Sequence, residues 1–133
     1  MSNKKLGNSF EREFCEILSN NGYWVHNFAQ NQSGQPADVI AVKNGKPYLI
    51  DCKVCTNGKF ALSRVEENQA LAMDLWEKCG GGVGIFALRV GDQIYMLSFS
   101  AIKYWERYRS TTVGEDDIKK LGWRIDDWMT ITS

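Results

Sequence analysis

The stretch PADVIAVKNGKPYLIDCKV, residues 36 to 54, carries the strongest structural signal in the sequence. Two apolar runs flank Asn44-Gly45, a pair typical of a two-residue type I′ turn, so the stretch predicts a β-hairpin. Both faces of its strands are largely apolar, which favours a sheet with helices on each side. Yet the arms also carry Asp38, Asp51 and Lys53, charged residues that are depleted in buried strands.

A two-residue turn fixes the pairing of the two arms, and carried along the hairpin it places Asp38 opposite Asp51. Facing residues in antiparallel strands have Cβ atoms about 4.5–5.5 Å apart, and like charges there destabilise a sheet. Alternation puts Lys53 on the same face as Asp51, roughly 6.6 Å along the strand, and Cys52 on the other face. The hairpin therefore gathers two carboxylates and one ammonium on one face.

Two carboxylates held this close need a counter-charge, which a divalent metal would supply. Mg²⁺ prefers oxygen ligands, typically one or two carboxylates with waters and a substrate phosphate. Such a site suits phosphodiester hydrolysis by a metal-activated water, with Lys53 orienting the water or balancing phosphate charge. In the alternative, structural interpretation, Asp38 only opens its strand, and Asp51 and Lys53 form an ion pair on a solvated edge.

The rest of the chain predicts one α/β domain over residues 1–133, in the order α-β-β-β-α-β-β-α. The predicted elements are a helix capped by Asn8 or Ser9 and ending near Asn20, a strand at 23–28, a polar loop at 29–36, the hairpin, a helix capped by Ser63 and running to Lys78, strands at 83–90 and 93–99, and a helix capped by Ser100 and running to Tyr108. A mixed tail with Trp123 and Trp128 follows.

Composition is typical of a globular protein, with 44% hydrophobic and 24% charged residues. No apolar run approaches the roughly 20 residues that span a bilayer, and the polar start lacks a signal peptide, so we expect a soluble, cytoplasmic protein without a membrane partner. The net charge is zero, but residues 1–65 hold eight basic against five acidic residues. This asymmetry favours an anionic partner.

The cysteines are Cys15, Cys52, Cys55 and Cys79. They form a single C-x-x-C pair, and His26 is the only histidine, so a zinc site would lack ligands. We expect buried, reduced thiols.

Pro36-Ala-Asp38 followed by Asp51-Cys-Lys53 resembles the signature of the PD-(D/E)xK nuclease superfamily. Within it, residues 5–100 are similar to the archaeal-type Holliday junction resolvases. The similarity extends to Gly7-Asn-Ser-Phe-Glu11-Arg12, to Gly22-Tyr-Trp-Val25 and to the helix that carries Gln69. The chain departs from the family at Ala37, which separates Pro36 from Asp38, at Asp51, where glutamate is common, and in its zero net charge.

The resemblance implies a restriction-endonuclease-like fold, with a central mixed β-sheet flanked by helices. It also implies a nucleoid-associated homodimer that makes paired nicks in four-way (Holliday) DNA junctions, with Mg²⁺ as cofactor and Mn²⁺ as an alternative. The implied catalytic residues are Glu11, Asp38, Asp51, Lys53 and Gln69. The implied metal contacts are Glu11, Asp38, Asp51 and the backbone carbonyl of Cys52. Two rivals stay open: a restriction-like or repair nuclease acting on other DNA structures, and a non-catalytic DNA-binding domain of the same fold.

Basic and polar side chains near the hairpin and the amino end are candidate phosphate contacts. They are Lys4, Lys5, Arg12, Asn31, Gln32, Ser33, Lys59 and Arg64. Glu11 also has a structural interpretation, because it lies three residues after Asn8 and could close a capping box. Tyr104, Trp105 and Tyr108 are candidates for a dimer surface.

Overall fold

The predicted hairpin forms the centre of a mixed sheet in the computed structural model, which describes residues 3–28 and 35–133. The helices are α1 (Asn3–Asn20), α2 (Glu67–Lys78), α3 (Phe99–Tyr108), α4 (Glu115–Leu121) and α5 (Ile125–Ile131). The strands are β1 (Trp24–Asn27), β2 (Val39–Lys43), β3 (Lys46–Val54), β4 (Phe60–Ala61), β5 (Ile85–Val90), β6 (Gln93–Ser98), β7 (Thr112–Val113) and β8 (Trp123–Arg124).

Six of these strands make the main sheet in the order β1-β2-β3-β5-β6-β8. β3 and β5 pair in parallel, whereas the other neighbours pair antiparallel, so the sheet is mixed as predicted. The turn between β2 and β3 has positive φ angles of 53° at Asn44 and 78° at Gly45, as a type I′ turn requires. The register from Lys43↔Lys46 to Val39↔Ile50 is the one that the sequence predicts.

Apolar side chains fill both faces of the sheet, which confirms the prediction of helices on each side. On one face, α1 buries Phe10, Phe14 and Leu18 against the strands. On the other face, Met73 of α2 and Phe60 belong to a second core. β3 is therefore buried on both faces along its central residues 49–52.

The helix starts differ from the sequence predictions. α1 begins at Asn3 rather than after Asn8, so Asn8 lies within the helix and the capping box with Glu11 is wrong. Ser63 lies in a single 3₁₀ turn, Leu62–Arg64, and α2 begins at Glu67 because Glu66 and Gln69 form the capping box instead. α3 is capped by Ser98, whose hydroxyl accepts the N–H of Ala101 at 3.1 Å, rather than by Ser100.

The segment after α3 is more ordered than the predicted mixed tail. β8 extends the sheet beyond β6, and α5 packs Trp128 against Tyr23 and Tyr48, with ring centroids 5.7 Å and 5.1 Å away. Within the described ranges, no helix is long and apolar enough to cross a membrane.

Candidate active site

Beyond the start of β2, the edge of β3 that faces β2 has no paired strand. Regular pairing between the two strands ends at Val39↔Ile50, whereas β3 continues to Val54. At Asp38 the backbone N–H donates to the carbonyl of Ile50 at 3.2 Å, and carboxylate Oδ2 accepts the N–H of Cys52 at 2.8 Å. The Asp38 side chain thus takes the position of the next ladder bond. By strand alternation, the Cys52 carbonyl points to the same open edge.

The pairing of Asp38 with Asp51 is therefore not continued by the backbone, yet their carboxyl groups remain neighbours. Asp51 is completely buried, and burial is the largest cause that raises the pKa of its carboxyl from 3.8 to about 8. The charge of Asp38 and a hydrogen bond to it raise this pKa further, while Lys53 opposes the rise. The two carboxylates of the predicted cluster are thus held together against their mutual repulsion.

Lys53 and Gln69 contact different carboxylate oxygens of Asp51. The Lys53 ammonium Nζ lies 3.0 Å from Oδ2 of Asp51, as the predicted register requires. Apart from this ion pair, Oδ2 has no hydrogen-bond partner among the described residues. The other oxygen, Oδ1, accepts the Nε2 amide of Gln69 at 2.9 Å.

Gln69 reaches the site because it lies in the first turn of α2. Its Oε1 accepts the backbone N–H of Glu66 at 3.2 Å and lies 3.4 Å from Nζ of Lys53. The same side chain therefore caps the helix and bridges Asp51 and Lys53. The sequence held a signal for this position, since Glu66 and Gln69 have the spacing of a capping box.

An open cleft of about 890 Å³ lies over the open edge of β3. Glu11 of α1, Asp38, Cys52, Lys53 and Gln69 are among the residues that line it. Asp51 does not line the cleft, because its carboxylate lies completely buried beneath these residues. The structure thus brings every predicted catalytic residue to one place, with Glu11 contributed from the opposite face of the sheet.

The thiols beside the cleft are protonated rather than reactive. Burial, followed by the charges of Asp38, Asp51 and Glu11, raises the pKa of the Cys52 thiol well above its ordinary value. Burial and the charges of Glu11 and Asp38 raise the pKa of Cys15 to about 11. All four cysteines are free, as expected, although Cys15 is only half-buried and Cys79 is exposed.

The donor groups at this edge fit Mg²⁺. Carboxylates and a backbone carbonyl are the hard oxygen ligands that this ion prefers. Oδ2 of Asp51 keeps an unused lone pair, although the residue is buried. Over residues 3–28 and 35–133, no group of three or more acidic, histidine or cysteine side chains is placed to hold a metal ion by itself. An open site of this kind suits an ion that keeps several of its waters and takes a ligand from substrate.

The predicted phosphate contacts occupy different places. Lys59 and Arg64 line the cleft, and Nη1 of Arg64 donates to the carbonyl of Val54 at 2.9 Å. Lys5 and Arg12 are exposed on α1 outside the cleft lining. The side chain of Lys4 and the loop residues Asn31, Gln32 and Ser33 lie outside the described part of the chain.

Sequence reasoning missed two residues that support Asp38. Nε2 of Gln35 donates to Oδ1 of Asp38 at 3.3 Å, and the Gln35 carbonyl accepts the side-chain amide of Asn68 at 2.8 Å. α2 is thereby connected to the segment that enters β2. Polar residues before a strand are common in loops, so the sequence pattern alone gave no signal for this role.

Comparisons with known proteins bear on the family and the fold of the chain. The family model described as "Archaeal holliday junction resolvase (hjc)" matches residues 2–123. No curated protein matches the chain. The solved structure of Hjc from Archaeoglobus fulgidus, a Holliday junction resolvase from an archaeal hyperthermophile, superimposes with a TM-score of 0.70. That structure is 17% identical in sequence, and the match covers 92% of this chain and 99% of the other, which confirms the fold.

Proposed function

Because the chain belongs to the archaeal Holliday junction resolvase family, a family of structure-selective nucleases, we propose that it cuts four-way DNA junctions by Mg²⁺-dependent phosphodiester hydrolysis at the cleft beside Asp38. One observation carries the choice of site. A completely buried carboxylate, Asp51, lies between the ammonium of Lys53 and the amide of Gln69, in contact with a second carboxylate. Such an arrangement destabilises the fold, and costly buried charges of this kind are concentrated at functional sites.

Asp38, Asp51 and the Cys52 carbonyl are the groups that would hold Mg²⁺, and Glu11 would complete the acidic cluster from α1. When bound there, the ion would polarise the scissile phosphoryl group and lower the pKa of a coordinated water. The raised pKa of Asp51 is consistent with this role, because a cation would replace the proton that the buried carboxyl otherwise retains.

Lys53 would supply a positive charge from the protein, in addition to that of the metal ion, at the reacting phosphate. Its ammonium is partly exposed to the cleft and anchored 3.0 Å from Asp51. From this position it would orient the attacking water and stabilise negative charge that develops on the phosphoryl oxygens. Gln69 would position both side chains, because it contacts each of them.

Basic residues along the cleft would hold the DNA backbone. Lys59 and Arg64 line the cleft, and the Arg64 guanidinium is fixed by Val54 and lies 5.9 Å from the ring centroid of Phe60. A fixed guanidinium binds a phosphate with little loss of side-chain entropy. Lys5 and Arg12 on α1 would contact phosphates farther from the cut.

A homodimer would place two such clefts on one junction and explain paired nicks. The best candidate surface lies on α2 and α3, where Leu71, Leu75, Tyr104 and Tyr108 are 55–63% exposed. An ion pair of 3.0 Å between Asp74 and Lys103 joins the two helices across this surface. Trp105, which the sequence suggested for such a surface, is buried and donates its indole N–H to the carbonyl of Thr112.

The test is cleavage of a mobile four-way junction, a flap and a linear duplex, with and without Mg²⁺ or Mn²⁺. We expect nicking of the junction alone and only with metal. Asp51→Asn should remove this nicking and leave junction binding within a few fold, because Asn keeps the shape and loses the charge. Equal cutting of the duplex would contradict junction resolution, and nicking in the presence of a chelator would contradict metal dependence.

A further inference from the structure

Three aromatic side chains form a continuous row along the edge strand β1. Trp24 and His26 are stacked with ring centroids 6.3 Å apart and an interplanar angle of 14°. His26 and Phe28 meet edge to face at 5.0 Å. Alternate residues of a strand share a face, so these three side chains, which we call the aromatic stripe, project from the same side of the sheet.

The aromatic stripe leads to the candidate active site. Phe28 follows β1 directly, and its backbone N–H donates to the carbonyl of Asp38 at 2.8 Å. Trp24 lies opposite Val42, and His26 lies opposite Ile40. Ile40 in turn lies opposite Leu49. Since directly paired residues lie on the same face and alternate residues of a strand share a face, the stripe occupies the face that also carries Asp51. It therefore extends the site outward, past the cleft, to the edge of the sheet.

Core packing does not account for the aromatic stripe. Trp24 is 62% exposed, and His26 is exposed beside it. Neither residue belongs to the two buried cores or to the partly buried side chains packed against them. An exposed indole beside a nucleic-acid site offers a stacking surface, because every nucleobase has a π face.

We propose that the aromatic stripe stacks against nucleobases exposed at the branch point of the DNA junction. This inference rests on the proposed function and names a subsite beyond the cleft. A linear duplex buries its base faces within the helical stack, whereas a branch point exposes bases or the ends of base-paired arms. The stripe contains no lysine or arginine, so it would add affinity for the branch point rather than for phosphates in general.

The matched test compares Trp24 with Trp123. Both tryptophans are exposed, at 62% and 52%, and they lie on the two opposite edge strands of the same sheet. Trp24→Ala and Trp123→Ala are each made in the Asp51→Asn background, so that binding is measured without cleavage. Affinity is measured for a four-way junction and for a linear duplex of equal length. We expect Trp24→Ala to weaken junction binding roughly tenfold and duplex binding less than twofold, and Trp123→Ala to change neither.

Two further variants separate stacking from a structural effect. Trp24→Phe retains an aromatic ring and should restore most of the junction affinity, whereas His26→Ala should weaken junction binding several-fold. A junction carrying 2-aminopurine at the branch point should lose fluorescence on binding the Asp51→Asn protein, and lose less with Trp24→Ala added. Junction binding unchanged by Trp24→Ala, or weakened equally for junction and duplex, would overturn the proposal.

The outcome is independent of the cleavage test. Wild-type protein that cuts the junction, together with a Trp24→Ala variant that binds it normally, would overturn the stacking subsite and leave the proposed function intact. Wild-type protein that cuts the duplex as well as the junction would overturn the proposed function instead.

Discussion

The side-chain amide of Gln69 donates to Oδ1 of Asp51 at 2.9 Å while its carbonyl oxygen accepts the backbone N–H of Glu66 at 3.2 Å. One side chain therefore caps the first turn of α2 and donates a hydrogen bond to one oxygen of a buried carboxylate. The position of α2 and the orientation of Asp51 are coupled through this contact. A residue that only stabilised the helix and one that only oriented Asp51 would respond differently to substitution.

We expect Gln69→Ala to lower the cleavage rate by at least tenfold and to change junction affinity less than threefold. The reason is that Asp51 loses a hydrogen bond in a buried place, and both Asp51 and Lys53 lose the group that orients them. Single-turnover kinetics on a four-way junction, together with binding measured in the absence of metal, separate the two effects.

Glu66→Ala is the matched control for Gln69→Ala. It removes the partner side chain of the capping box and leaves the contact between Gln69 and Asp51. Both variants should lose about 1 kcal/mol in the free energy of unfolding. If Glu66→Ala slows cleavage as strongly as Gln69→Ala, the role of Gln69 is to hold the helix rather than to orient Asp51.

The sequence predicted the site to the extent that turn geometry determines it. Asn44-Gly45 fixed the register, and alternation then placed Lys53 beside Asp51. The pairing failed at Asp38, because a carboxylate that accepts the N–H of Cys52 can replace a backbone ladder bond. No pattern of hydrophobic residues reveals that a side chain will take over a backbone hydrogen bond in this way. The roles of Glu11 and Gln69 came from the family resemblance, since tertiary contacts from two helices bring them to the cleft.

The stability of the metal-free protein should fall as the pH rises from about 4 to about 8. The pKa of Asp51 is raised from 3.8 to about 8 in the folded chain, so the folded state binds more protons than the unfolded state across this window. The contribution is fully present below pH 4 and is lost as the pH passes the folded pKa. We expect a loss on the order of 2 kcal/mol between pH 5 and pH 8 in urea unfolding with a chelator present.

Asp51→Asn supplies the control for this pH dependence. Asn has the same shape and no ionisable group, so the free energy of unfolding should vary less with pH and exceed that of the wild type at pH 8. A wild-type profile as flat as that of the variant would show that the carboxyl ionises freely in the folded protein.

Lys53→Met should destabilise the metal-free protein by about 2 kcal/mol at about pH 9.5, where the Asp51 carboxyl of the wild type is ionised. Met fills a similar volume but removes the ammonium that lies 3.0 Å from Asp51, which leaves the buried carboxylate without its counter-charge. In the Asp51→Asn background the same substitution should cost less than about 0.5 kcal/mol, because no buried charge remains. Equal costs in the two backgrounds would mean that Lys53 stabilises by packing alone.

The fold was predictable up to α3 because its elements have strong local signals. Alternating apolar runs mark β5 and β6, and Gly80-Gly81-Gly82 marks the end of α2. The start of α1 was misplaced, because residues 3–8 carry few apolar side chains and none of residues 5–8 is fully buried. The two-residue strand β8 and the short helix α5 depend on packing against the finished sheet, for example Trp128 on Tyr23. Such elements have almost no periodicity of their own.

The proposed dimer surface predicts the effect of a charge on α2. Leu75 is 62% exposed on this helix, and an aspartate there would place a desolvated charge in an apolar interface, so Leu75→Asp should convert a dimer into a monomer in solution. Ile131→Asp is the matched control, since Ile131 is 55% exposed on α5, outside the surface formed by α2 and α3. Sedimentation or light scattering gives the mass of the assembly. The unfolding midpoint of each monomeric chain should change little, because both substitutions lie on the surface.

The monomer should still nick junctions, because each cleft is built from a single chain, but paired nicks within one binding event should fall at least tenfold. A dimer that survives Leu75→Asp but dissociates with Ile131→Asp would move the interface to the face that carries α5.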